Sequence, residues 1–275
     1  FARRFKQFKI KHLNSAETMN EIFIANGSVI AALMLVVWVI SLPLRDVSVI
    51  DIAWGLGFVL VAWTTYLLSG GEGTGRLLLA VLVTLWGLRL SGYLAWRKAG
   101  SPEDYRYREM RERHPRSFPL LSLLTVFALQ GVLMWIVALP IQTTDPTARP
   151  SLFLTAFGVL AWSVGLACET IGDAQMARFK ADPANAGRVL DRGLWRYTRH
   201  PNYFGDFLVW WGIYLLSLAA GAPWWSVIGP ILMSVLLMRV SGVTLLEKSL
   251  KERKEGYVQY VTRTNAFFPW WPRQA

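Results

Sequence analysis

The sequence predicts an all-α, polytopic membrane protein of about seven transmembrane helices, and three observations predict it. Of its 275 residues, 53% are hydrophobic and only 17% are charged. A soluble domain carries about 45–50% apolar and about 25% charged residues. The apolar residues gather in runs of about 20, the length that crosses a hydrocarbon core of about 30 Å. The few charges carry an excess of 11 positive. That excess is too sparse for the densely charged face of a nucleic-acid binder and suits basic loops flanking membrane spans.

The spans follow in order. The first run, about 22–42, is too long for the apolar part of a signal peptide and has no small-residue cleavage site behind it. It therefore reads as a span preceded by an N-terminal segment, 1–21. Pro43 closes it, and the second run occupies 47–69. Gly70-Gly71-x-Gly73-x-Gly75 looks superficially like a phosphate loop, but it follows a membrane helix and lacks a βαβ frame, so it reads as a turn. The third run covers 77–95, the fourth 120–141 behind Pro119, and the fifth 151–170 behind Pro150. The last two, 203–222 and 224–246, are divided only by Gly221-Ala222-Pro223, which leaves six or eight spans open. One cysteine, Cys168, excludes an internal disulfide, and three scattered histidines exclude a His-rich metal cage, so no metal site is expected.

Basic residues sort by side. Twenty of the 29 Lys and Arg fall in the segments 43–46, 96–119, 171–202 and 247–275, and seven fall in the alternate set. Positive residues favour the cytoplasmic side. The expectation is an integral membrane protein with its large loops and C-terminus in the cytoplasm and its N-terminus outside. The two remaining basic residues, Arg89 and Arg239, lie inside spans.

Ionisable groups within a span are costly and commonly face a polar cavity. Here they are Asp51, Arg89, Asp206 and Arg239, with Glu169 and Glu247 near span ends. Interhelical ion pairing or the headgroup zone is the alternative for the two glutamates. Trp54 lies one helical turn from Asp51, and Trp86-Gly87-x-Arg89 offers a second aromatic beside a cation. Such a pocket suits a flat, apolar ligand with one polar end. Ordinary helix packing through small and aromatic residues is the competing explanation.

Residues 171–212 are the richest stretch. Asp173, Arg178, Lys180, Asp182, Arg188, Asp191, Arg192, Arg196, Arg199 and His200 are interleaved with Trp195, Tyr197 and Tyr203, and Asn202 and Asp206 follow at the next apolar run. Arginine forks grip phosphates, and aromatic faces stack on planar rings. An anionic, aromatic ligand at a membrane entrance is one reading. A basic segment drawn to anionic lipid is the other.

The stretch Gly193-Leu194-Trp195-Arg196-Tyr197-Thr198-Arg199-His200-Pro201-Asn202-Tyr203-Phe204-Gly205-Asp206 resembles the steroid 5-alpha-reductase family, and most closely its bacterial branch. Asp51-x-x-Trp54-Gly55, Trp86-Gly87-Leu88-Arg89-Leu90 and the tail from Tyr257 through Tyr260 and Thr264-Asn265-Ala266-Phe267 to Pro269 resemble the same branch. The Arg-His-Pro-x-Tyr core alone is shared with isoprenylcysteine and phospholipid methyltransferases and with sterol reductases. The Asn-Tyr-Phe-Gly-Asp continuation favours the reductases.

The resemblance implies one membrane-embedded reductase domain over 22–275 in a bacterial inner membrane. It uses NADPH to reduce the C4–C5 double bond of a 3-oxo-Δ4-steroid or a similar apolar enone. The substrate pocket would come mainly from 22–141 and the cofactor site mainly from the cytoplasmic loops and later helices of 151–275. By resemblance, Asn202 and Asp206 hold the nicotinamide end, with Tyr197, Arg199, His200 and Tyr203 nearby. Asp173, Arg178, Lys180 and Arg188 serve phosphates and ribose, and Arg239, Glu247, Tyr257 and Tyr260 add contacts. Asp51 matches the family's second-helix carboxylate, which polarises the substrate carbonyl. The third-helix position holds Trp86 where eukaryotic members have tyrosine; Trp86 and Arg89 are expected to join Asp51 as catalytic residues, and Trp54 and Tyr93 to contact the substrate. A membrane methyltransferase using S-adenosylmethionine and a non-catalytic sterol-binding protein are the rival readings.

Overall fold

The computed structural model describes residues 15–240 and 256–273, and among them the regular structure is helical. Five helices are long and apolar enough to cross a membrane: Thr18–Leu44, Val47–Leu68, Thr74–Lys98, Phe118–Val137 and Leu152–Ala181. The sixth expected span is the helix Pro201–Ala219. The seventh, 224–246, holds the shorter apolar helix Trp224–Arg239, and 241–246 lie outside the described residues. The all-helical membrane architecture is as the apolar runs require.

In chain order, α1 is Ser15–Leu44, α2 Ile50–Leu68, α3 Thr74–Lys98 and α4 Tyr105–Arg113. Next, α5 (Phe118–Ser122) and α6 (Leu129–Val137) are joined by a π-helical stretch, Leu123–Ala128. The short α7 is Leu139–Gln142, α8 Leu152–Ala181, α9 Pro201–Ala219 and α10 Ile228–Val235; α11, Tyr257–Arg263, completes the order. Residues 70–73 form the turn between α2 and α3, with Gly70, Gly71 and Gly73 at φ 77°, 72° and 89°, and Gly75 already lies in α3.

Two departures from the apolar runs bear on the site. α8 continues eleven residues past the expected end at 170, because Ala174–Ala181 is rich in good helix formers and no proline intervenes until Asp182-Pro183. The loop 96–119 contains α4, a helix of charged residues that no apolar periodicity announces. Its Asp104 caps the helix by accepting from the Arg106 amide at 3.0 Å.

The chain divides into two units. The first holds the described residues up to Gly71 together with Gly87–Trp135. The second holds Glu72–Trp86 and the described residues from Ile136 onward. Within the first, α2 and α3 meet at glycines: a Cβ on Gly55 would lie 2.2 Å from the Gly87 carbonyl oxygen. α1 is tied to α2 by Asn26 Nδ2 donating to Thr65 Oγ1 at 2.9 Å, both buried. Buried polar pairs of this kind hold helices together where lipid supplies no hydrophobic drive.

Within the second unit, α8 and α9 pack backbone to backbone along two tiers, Gly158 against Gly212 and Gly165 against Gly205. Buried Arg76 ties the start of α3 to the turn after α7, donating from Nε to Thr144 Oγ1 at 2.9 Å. The opposite face of α8 exposes Leu152, Phe153, Phe157 and Leu160, an apolar surface fit for lipid.

Candidate functional site

In the first unit the site is built around the start of α2. Glu103 Oε1 accepts from the Val47 amide at 2.8 Å, and the Asp104 amide donates to Ser48 Oγ at 3.2 Å. Lys98 Nζ lies 2.8 Å from Asp46 Oδ2, and Arg111 lies 2.7 Å from Glu103. These contacts hold α4 beside the helix that carries Asp51 and Trp54. Burial raises the Asp46 carboxyl, but hydrogen bonds from Lys98 and Ser48 and the Lys98 charge outweigh it and leave it below the usual carboxylate range. Asp104 behaves alike: burial opposes, and the Arg106 bonds win.

Asp51 is half-buried, and the charges of Arg106, Asp104, Arg97 and Lys98 all act on it. One turn on, Trp54 Nε1 donates to Gln130 Oε1, and Gln130 Nε2 donates to the Tyr107 hydroxyl at 3.4 Å. Trp54 also packs against Phe58, with ring centroids 5.7 Å apart. Arg89 and Tyr93 meet one turn apart, the guanidinium 5.4 Å from the ring centroid, with Arg97 at 5.6 Å from the same ring. The sequence reading did not single out Tyr107 or Gln130. Gln130 had a signal, since it is the one amide in the apolar run Phe118–Val137. Tyr107 had none, lying in a run of Arg and Glu.

Trp86 belongs to the second unit. It is fully buried, donates from Nε1 to Glu169 Oε2 at 3.1 Å, and meets Trp210 edge to face at 5.5 Å. Glu169 thus takes a neutral indole on another helix as a partner.

The other candidates assemble on one stripe of α8. Positions 169, 172, 173, 175 and 179 follow the helical repeat, and each meets the segment after α8 or the start of α9. Trp195 Nε1 donates to the Gly172 carbonyl at 3.1 Å, and the Leu194 amide donates to Gln175 Oε1 at 3.0 Å. Gly193 sits at φ 64°, and a Cβ there would fall 2.4 Å from Gln175 Nε2, so only glycine fits. Asn202 Nδ2 donates to the buried Asp173 carboxylate at 3.1 Å. Asn202 Oδ1 is buried and has no donor among the described residues. Next to this pair along α8 opens a cavity of about 370 Å³, lined by Gln175, Arg178, Phe179, Asp182, Arg192 and Gly193 among others. Lys180, Arg178 and Arg188 are exposed, as is Arg239. Glu247 lies outside the described residues.

The two C-terminal motifs clasp each other. Arg199 is buried and donates from Nη1 to the carbonyls of Thr264 and, at 3.2 Å, Val261. Thr198 Oγ1 donates to the Phe267 carbonyl at 2.7 Å, the Trp270 amide to the Tyr197 carbonyl at 3.0 Å, and the Tyr260 hydroxyl to the Trp195 carbonyl. Tyr257 is buried against Tyr260. His200 and Tyr203 stack in parallel, 5.5 Å apart and 2° from coplanar. In chemical terms, the α8–α9 junction offers an orphan amide acceptor, a buried carboxylate and cationic cavity walls. The α2–α4 cluster offers a carboxylic acid and a phenol.

Residues 37–264 match the family model described as "Protein of unknown function (DUF1295)". The chain is also 25% identical over 269 residues to "Uncharacterized protein C594.04c" of Schizosaccharomyces pombe, covering 85% of this chain and 76% of that protein. No solved structure matches.

Proposed function

The chain belongs to the DUF1295 family, a steroid 5-alpha-reductase-like family of membrane proteins, and from that premise we propose that it is an NADPH-dependent reductase of 3-oxo-Δ4-steroids or similar apolar enones. It belongs to the family's bacterial branch and works in a bacterial inner membrane, its C-terminus cytoplasmic and its N-terminus outside.

The observation that carries the reading is the α8–α9 junction. Asn202 Oδ1 is a buried acceptor in need of a donor, and a nicotinamide carboxamide N–H is such a donor. Asp173 fixes the Asn202 amide so that its oxygen, not its nitrogen, faces the ligand. Arg178 and Arg192 in the neighbouring cavity wall suit phosphates, and an arginine for the 2′-phosphate is what distinguishes NADPH from NADH. When bound, NADPH supplies a hydride to C5 of the enone. In the first unit, Asp51 donates a hydrogen bond to the C3 oxygen, drawing electrons from C5 and holding the negative charge that develops there.

The junction is tested by binding. The protein has 14 tryptophans, and quenching of their emission titrates the dinucleotide. NADPH is expected to bind more tightly than NADH. Asn202→Leu loses a buried hydrogen bond of about 1–3 kcal/mol, or about 5- to 150-fold in Kd. Binding of S-adenosylmethionine in preference to NADPH would overturn the reading in favour of a methyltransferase.

A further inference from the structure

Tyr107 stands outside the membrane spans, yet a relay of hydrogen bonds joins it to them. Trp54 Nε1 donates to Gln130 Oε1, and Gln130 Nε2 donates to the phenol oxygen at 3.4 Å. The phenol oxygen therefore accepts in this relay and keeps its own proton to give. The bonds from Glu103 to Val47 and from Asp104 to Ser48 hold the start of α4, whose first turn carries Tyr107, against the turn that precedes Asp51. Arg106, locked on Asp104 at 2.9 Å, lies 5.5 Å from the ring centroid. α4 buries no residue, and its Arg108 and Glu109 are exposed, so the helix that carries the phenol also faces water.

Resting on the reductase reading, we propose that Tyr107 is the proton donor to C4 of the substrate. Hydride arrival at C5 converts the enone to a 3-enolate with a C3–C4 double bond. The enolate π electrons then form the C4–H bond with the Tyr107 hydroxyl proton, and the C3 carbonyl is restored. The O–H electron pair stays on Tyr107 as phenolate, which the Gln130 N–H and the Arg106 charge stabilise until a solvent proton arrives through the exposed face of α4. NADPH is oxidised, the enone is reduced, and one solvent proton is consumed. Burial above all pushes the phenol up to about 12 against the opposing pull of Arg106 and Gln130. The donor is thus fully protonated at neutral pH.

Tyr107→Phe tests this in the full-length protein with NADPH and a 3-oxo-Δ4-steroid. A general acid contributes about 10²–10⁴ in rate, so kcat is expected to fall by roughly a hundredfold, with NADPH affinity and the KM for the steroid little changed. Proton transfer becomes the slow step: the solvent deuterium isotope effect grows, and the effect from NADPH deuterated at the transferred position shrinks. Gln130→Met keeps the phenol but removes its partner, and is expected to cost less than Tyr107→Phe. A Tyr107→Phe protein with wild-type kcat and isotope effects, beside an active wild type, would overturn the proposal while sparing the reductase reading. A wild type that binds NADPH and consumes none with any enone would overturn both.

Discussion

Asp51→Leu is expected to abolish enone reduction while leaving NADPH binding intact. A single preorganised donor to a developing oxyanion is worth about 10²–10³ in kcat, and leucine keeps the bulk while removing the donor. The cofactor residues proposed at the α8–α9 junction lie in the second unit, and Asp51 lies in the first. Dinucleotide titration of the variant therefore separates the two roles. Asp51→Asn, which can still donate from its amide, is expected to keep part of the rate. Unchanged turnover in Asp51→Leu would remove Asp51 from the mechanism.

Gly205→Leu is expected to have the largest effect on folding. A Cβ at this position would lie 2.5 Å from both the Gly165 carbonyl oxygen and the Glu169 amide nitrogen. These are backbone atoms of α8 that no rotamer change can move aside. Overpacking of a tight interface costs about 1–3 kcal/mol and sometimes more, and here α9 must separate from α8 along its length. Separation would also draw Asn202 away from Asp173, so NADPH binding should fall with stability. The control is Gly92→Leu on α3, where nothing lies within 4 Å of the added Cβ. Thermal unfolding in detergent should show a midpoint lowered by several degrees for Gly205→Leu and unchanged for Gly92→Leu. Equal midpoints would contradict the packing described for α8 and α9.

Much of the fold was legible because a membrane protein writes its architecture in apolar length. The runs that end near Pro43 and residues 70–75, and those that begin behind Pro119 and Pro150, became helices at those positions. What composition could not show was helix built from charge. α4 has an arginine or glutamate at most of its positions, and its position depends on hydrogen bonds to residues 47 and 48, more than 50 positions away in the chain. The extension of α8 beyond 170 is similar, since Gln175, Arg178 and Lys180 read as loop by hydropathy and as helix by propensity.

The candidate site was legible in kind more than in arrangement. Asn202 and Asp173 were named from separate stretches, and the structure bonds them together. Arg199 was named for the cofactor, yet its guanidinium reaches the carbonyls of Val261 and Thr264 and so fastens the C-terminal segment. Trp86, which the sequence sets beside Asp51 only by adjacent spans, bonds through its indole to Glu169, 83 positions along. Such pairings are set by which helix faces meet, and a single sequence carries no record of that. Tyr107 was invisible for the same reason.

The most direct measurement follows NADPH absorbance in purified full-length protein given a 3-oxo-Δ4-steroid, with the product weighed by mass spectrometry. The expected result is steroid-dependent loss of NADPH, one for each product molecule gaining two hydrogens, one of them from solvent. Methyl transfer from S-adenosylmethionine to the same class of lipid, with NADPH untouched, would contradict the reductase.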